Sequence, residues 1–196
     1  IILTEPFPSS LTLAQGNSLA NMLAEKGWNV VISPFNLPVN VTSQQNLPAE
    51  FTNTDMSDSE TTSMSAPNIH PRSNQLTQYL NFESATSALS LQLNALNNYL
   101  QDNSGYRMVI AQGMLATTYL SVVEQQPQLH PDTFVAISPF WPEESTNTLV
   151  IDNIAQSSFP ILDLSLSGCN DWANSNTQKR KTSAKYALKM HTKDTY

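Results

Sequence analysis

Cysteine is nearly missing from this chain: Cys169 is the one thiol among 196 residues. No disulfide can therefore close within the chain, and a cysteine-based zinc cluster has too few ligands. Glycine is scarce at five residues, and the twelve prolines follow no period, which excludes collagen-like and solenoid chains. No apolar run approaches the ~18–20 residues that a membrane-spanning helix needs. Charged residues make up only 13% of the chain. Basic ones are almost absent from residues 1–178, where Lys26, Arg72 and Arg107 stand against fifteen acidic residues, a net charge of −12. An acidic body repels phosphate, which argues against nucleic acid as a ligand. A signal peptide is lacking too, because Ile1-Ile2-Leu3 is too short for its apolar region. The chain opens inside an apolar run and closes on Tyr196, so both ends read as cut from a longer precursor.

What is present is uncharged polarity. Asn, Gln, Ser and Thr together number 73, close to the 40% of residues that are hydrophobic. The apolar share is enough for a core, so a wholly disordered chain is excluded. Low lysine content and many amides and hydroxyls lean towards an exported protein. Charge of the opposite sign gathers at the end: residues 179–196 carry six basic residues against Asp194, a net +5. A solvated helix face explains that cluster most simply. The sharper reading is a docking surface for an acidic partner or anionic lipid, which makes Lys179, Arg180 and Lys181 candidate partner contacts.

Short apolar runs alternate with helix-like stretches. Ile1-Ile2-Leu3 reads as the end of a strand, and Gln15 to Lys26 as a helix with Leu19, Met22 and Leu23 on one face and Gly27 as its stop. Trp28 to Ser33 is a strand closed by Pro34. Residues 81–101 form the longest helix, with Phe82, Ala85, Leu89, Leu93, Leu96 and Leu100 spaced by threes and fours. Arg107–Ala111, Thr133–Ile137 and Pro160–Leu164 follow as strands. Leu115–Gln125, Leu149–Gln156 and residues 175–188 follow as helices, and the last residues begin a further strand. Near-continuous apolar strands between helices imply a parallel sheet covered on both faces, an α/β doubly wound domain with right-handed crossovers.

One stretch breaks this rhythm. Residues 36–80 hold Pro38, Pro48, Pro67 and Pro71, with hardly an apolar residue between Thr52 and Ser65. A polar insertion of that length after the second strand reads as a lid, a binding loop or disorder. Asn40-Val41-Thr42 within it matches a glycosylation sequon, a tripeptide too common to carry weight.

Ligands of open parallel sheets bind beyond the carboxyl ends of the strands. There, Ala111-Gln112-Gly113-Met114-Leu115 joins a strand to a helix in the manner of a nucleophile elbow. Gly168-Cys169-Asn170-Asp171, after a later strand, matches the G-x-x-D turn that carries a triad acid. The phrases Leu23-Ala24-Glu25-Lys26-Gly27-Trp28 and Phe159-Pro160-Ile161-Leu162-Asp163-Leu164 add to these. In this order the segments resemble the α/β-hydrolase superfamily, and within it an exported bacterial family of hydrolase-like proteins with unassigned function and an often degraded elbow. The resemblance runs over almost the whole chain. It implies a hydrolase-type sheet, the periplasm or cell envelope, and no particular substrate.

Under that resemblance Ala111 and Leu115 take the places of the elbow's flanking glycines, and Gly113 that of the nucleophile. Glycine has no side chain with which to attack. Leu3 to Ser10 becomes the loop supplying the second oxyanion donor, and Asp171 the acid position, although Asp171 equally suits a helix cap. His191 is the sole histidine near the carboxyl terminus, but falls in the expected last strand, before the usual loop. His70 and His130 read as surface residues. A base without a nucleophile performs no acyl transfer. Cys169 lies at the functional edge, with no base or cation in the sequence to lower its pKa. Glu143-Glu144 diverge as neighbours and read as solvated. Pro139-Phe140-Trp141-Pro142 offers two aromatics as partner anchors or as core closure. The expectation is a catalytically inactive hydrolase-like domain, without cofactor or metal, that binds another envelope protein. An unusual or incomplete esterase and a small-ligand sensor are the alternatives.

Overall fold

A computed structural model describes residues 1–7, 9–38, 80–166, 168 and 170–191, the last five of these by backbone only. Most of the polar insertion, with its sequon and His70, lies outside the described residues, as does Cys169.

The chain runs β1 (Ile2–Thr4), α1 (Leu13–Ala24), β2 (Ile32–Pro34), α2 (Phe82–Tyr99), β3 (Met108–Gln112), α3 (Gly113–Gln125), β4 (Thr133–Ile137), α4 (Glu144–Gln156), β5 (Ile161–Leu164) and α5 (Asp171–His191). The five strands form one sheet in the order β2-β1-β3-β4-β5, and every pairing is parallel. Parallel strands need crossovers, and the helices supply them on both faces. The fold class is therefore α/β, as the alternation in the sequence implies.

Alternate side chains of each strand enter two separate clusters. Leu3, Val109, Ala111, Phe134 and Ala136 face the larger one, built with α2 and α3 and closed by Trp141 and Ala173. Ile2, Ile110 and Val135 face the smaller one, where Leu19 and Leu23 of α1 pack. Helix α1 begins at a capping box: the Gln15 N–H donates to Thr12 Oγ1 at 3.3 Å, and the Thr12 N–H donates to Gln15 Oε1 at 3.0 Å. It comes so close to the sheet at Gly16 that a Cβ there would sit 2.6 Å from Thr4 Cγ2.

Several boundaries move from their sequence positions. Helix α3 starts two residues early, on Gly113, because β3 turns directly into it with no loop between them. Helix α4 starts at Glu144 rather than Leu149, its first turn being polar and so invisible to apolar periodicity. The expected final strand is corrected as far as His191, and residues 192–196 lie outside the described residues. Helix α5 continues through His191, since Lys, Ala, Tyr, Leu and Met after Thr182 keep it going, so His191 belongs to a helix.

Candidate functional site

The strand order reverses between β1 and β3, and their carboxyl ends there frame the crevice that an open α/β sheet offers to ligands. Strand β3 passes into α3 without an intervening loop, and Gly113 makes the turn at φ +66°, a left-handed conformation that side chains resist. Ala111, Met114 and Leu115 around it are buried in the larger core, and Gln112 Nε2 donates to the Ser9 carbonyl at 3.0 Å.

The segment after β1 folds down onto this turn. Ser9, itself at φ +65°, brings its carbonyl to 2.8 Å from where a Gly113 Cβ would lie. Ser10 Oγ and Phe140 Cε1 stand 3.1 and 3.3 Å from the same point. The space in front of Gly113 does not hold a methyl group, still less an acyl group.

Beneath this lies a carboxyl group that the sequence did not single out. Glu5, the first residue past β1, is only 2% exposed. Its Oε1 accepts from Ser10 Oγ and from the Leu115 N–H, the latter at 3.3 Å. That N–H belongs to the first turn of α3, where unpaired amides and the helix dipole favour an anion. The chain's own carboxyl thus occupies the anion position of the turn. Glu5 Oε2 is buried without a hydrogen-bond partner. Burial pushes the Glu5 pKa up to about 7, against the opposing pull of the Ser10 and Leu115 hydrogen bonds. The sequence signal for this residue was slight: an acid at a strand's end, whose partner lies 110 positions away.

Asp171 opens α5 as an exposed first-turn acid. It is not the cap; the Ala173 N–H donates to Asn170 Oδ1 at 2.9 Å, so Asn170 performs that role. Phe140 and Trp141, for which the sequence left anchor and core closure open, are both buried. The Phe140 carbonyl accepts from Thr117 Oγ1 at 2.9 Å, and the Trp141 N–H donates to Asn147 Oδ1 at 3.1 Å. Their placement is that of core closure.

The three basic residues proposed as contacts separate. Lys179 and Lys181 are exposed, whereas Arg180 is only 1% exposed. Its Nε donates to Asp163 Oδ2 at 2.9 Å and its Nη2 to Asp163 Oδ1 at 3.2 Å, a two-pronged pair tying α5 to β5. Arg180 is thereby a structural residue rather than a surface contact. His130 is half-buried, with Nε2 2.9 Å from the Val123 carbonyl and its ring 5.0 Å from that of Phe159.

No helix among the described residues is long and apolar enough to cross a membrane. No protein-family model, curated protein or solved structure matches the chain.

Proposed function

We propose that this chain is a catalytically inactive α/β-hydrolase-like domain that binds another protein of the bacterial cell envelope. The observation that carries the reading is the turn at Gly113. It has the strand–turn–helix shape of a nucleophile elbow, with glycine where the nucleophile belongs and Ser9, Ser10 and Phe140 packed into the space that a substrate needs. Glu5 adds to this, because its buried carboxyl accepts from the Leu115 amide, one residue past the Met114 amide that an elbow would use as oxyanion donor. A filled turn favours the binding scaffold over a small-ligand sensor, which needs an open pocket there. Envelope location and the hydrolase-type sheet rest on the resemblance of the ordered motifs. The test is hydrolysis of short acyl esters by the purified protein. The reading expects none above buffer. Turnover that Asp171→Ala abolishes would overturn it.

A further inference from the structure

The segment that closes the Gly113 turn hangs largely on one oxygen atom. After β1 the chain folds back on itself, the Glu5 N–H donating to the Leu11 carbonyl at 3.0 Å. Ser9 and Ser10 form the strap that reaches the turn, and three side-chain bonds hold it there. Ser10 Oγ donates to Glu5 Oε1, the Leu115 N–H donates to the same Oε1, and Gln112 Nε2 donates to the Ser9 carbonyl. Two of the three thus end on Glu5. Ser9 stands at φ +65° without being glycine, so the closed strap stores backbone strain that release would relieve.

The other carboxyl oxygen, Oε2, is buried and has no partner. A neutral carboxyl tolerates such a place, whereas a carboxylate there keeps a charged oxygen from both donors and water. Beside Glu5 lie Thr4 and Leu115, each 1% exposed and fixed in β1 and α3. Lifting Ser9 and Ser10 off the turn therefore hydrates the carboxyl without dismantling an element.

We infer that the Glu5 carboxyl is a pH-sensitive latch: protonated, it holds Ser9 and Ser10 down on the Gly113 turn, and on ionising it lets that strap open locally and uncovers the crevice at the strand reversal. The elements packed around it offer no competing charge. Helix α1 has no ionisable residue from Leu13 to Ala24. On α3 the Tyr119 ring lies 4.6 Å from that of Phe134. After β4, Glu143 accepts from Ser145 and Thr146, and on α5 Arg180 is held by Asp163 while Asp171 is exposed. What acts on Glu5 is burial, which raises its pKa from 4.5 to about 7, opposed by the Ser10 and Leu115 hydrogen bonds. An open strap returns the group to its ordinary value. Opening is then rarest below pH 4.5, becomes more frequent from there to pH 7, and levels off above. Those two values set the rise at roughly 70-fold between about pH 5 and 8. The latch goes beyond the binding reading and holds whether or not the domain catalyses.

The experiment is amide hydrogen exchange on the isotope-labelled protein, corrected at each pH for the intrinsic rate. Protection of the Leu115 amide should fall roughly 70-fold across that interval in the parent and stay level in Glu5→Gln. The Phe134 amide, bonded to the Pro160 carbonyl within the sheet, should exchange more slowly. Dilute urea should speed Phe134 and leave Leu115 unchanged, because a local opening exposes little surface. Leu115 protection that ignores pH, or that falls equally in Glu5→Gln, would overturn the latch. So would Leu115 tracking Phe134 in urea, since the proton would then act only on global unfolding. Should Glu5→Gln fail to fold, Ser10→Ala gives the second reading. It removes a hydrogen bond that favours the carboxylate, so the pH at which exchange levels off should move above 7. An unmoved plateau would equally overturn the latch.

Discussion

Glu5 is where a single residue states most about this molecule. A buried carboxyl whose pKa is raised from 4.5 to about 7 stabilises the folded state least when it must be charged. Below pH 4.5 it is protonated in folded and unfolded chains alike, so nothing is lost. As pH rises towards 7 the unfolded chain releases the proton and the folded one keeps it, and stability declines. That raised pKa corresponds to about 3 kcal/mol in all, lost by the time pH passes the folded value. Glu5→Gln keeps a neutral side chain at every pH, and should be more stable than the parent at pH 8 and nearly equal to it at pH 4. Urea unfolding at the two values checks this; parallel pH profiles for the two proteins would contradict the burial of Glu5. The same crowding changes the expectation for Gly113. Sequence reasoning gives Gly113→Ser a cost on the order of 1 kcal/mol, the scale for glycine replaced in a left-handed conformation. With the Ser9 carbonyl 2.8 Å from the new Cβ, steric displacement of the backbone adds to it, for a total of about 2–4 kcal/mol.

At the scale of elements, two contacts decide how helices meet the sheet. Helix α1 approaches β1 through Gly16, so Gly16→Ala should destabilise by about 1–3 kcal/mol as its methyl meets Thr4 Cγ2. Thr4→Ser removes that methyl and should recover most of the loss in the double variant; additive losses in thermal unfolding would contradict the close approach. Helix α5 is pinned by Arg180 to Asp163. Asp163→Asn removes the whole negative charge and one of the two acceptor oxygens facing a buried guanidinium, and should cost about 3 kcal/mol, more than replacing Arg180 and Asp163 together by methionine and leucine. These elements were legible in unequal degree. Strand β4 lies where its apolar run puts it, and α2 follows the spacing of Leu89 and Leu93 that became its buried face. What escaped at the start of α4 was polar, since the Glu144–Thr148 turn carries no apolar periodicity; the first turn of α5 escaped because its two apolar residues, Trp172 and Ala173, are adjacent and too few to show a period. The candidate site divides likewise. Gly113 could be found from its strand–turn–helix context, because that signal is local. Glu5 could not, since its burial depends on α3 delivering an amide from 110 residues away.

Over the whole molecule, a parallel sheet frames a crevice at its strand reversal and then fills it with its own Glu5, Ser9, Ser10 and Phe140. Among the described residues, Leu162 and Leu164 of β5 and Lys181 and Lys185 of α5 stay exposed. The sequence pairs an acidic body with a basic carboxyl-terminal stretch, so most of the chain repels polyanions. The claim that the turn is catalytically dead is tested most directly by restoring a hydroxyl to it. Gly113→Ser, verified as folded by circular dichroism, is incubated with a fluorophosphonate probe beside the parent protein. The account predicts no labelling at position 113, because Ser9, Ser10 and Phe140 crowd the hydroxyl. Rapid labelling of that serine would show a working base and an open site, and would contradict the account.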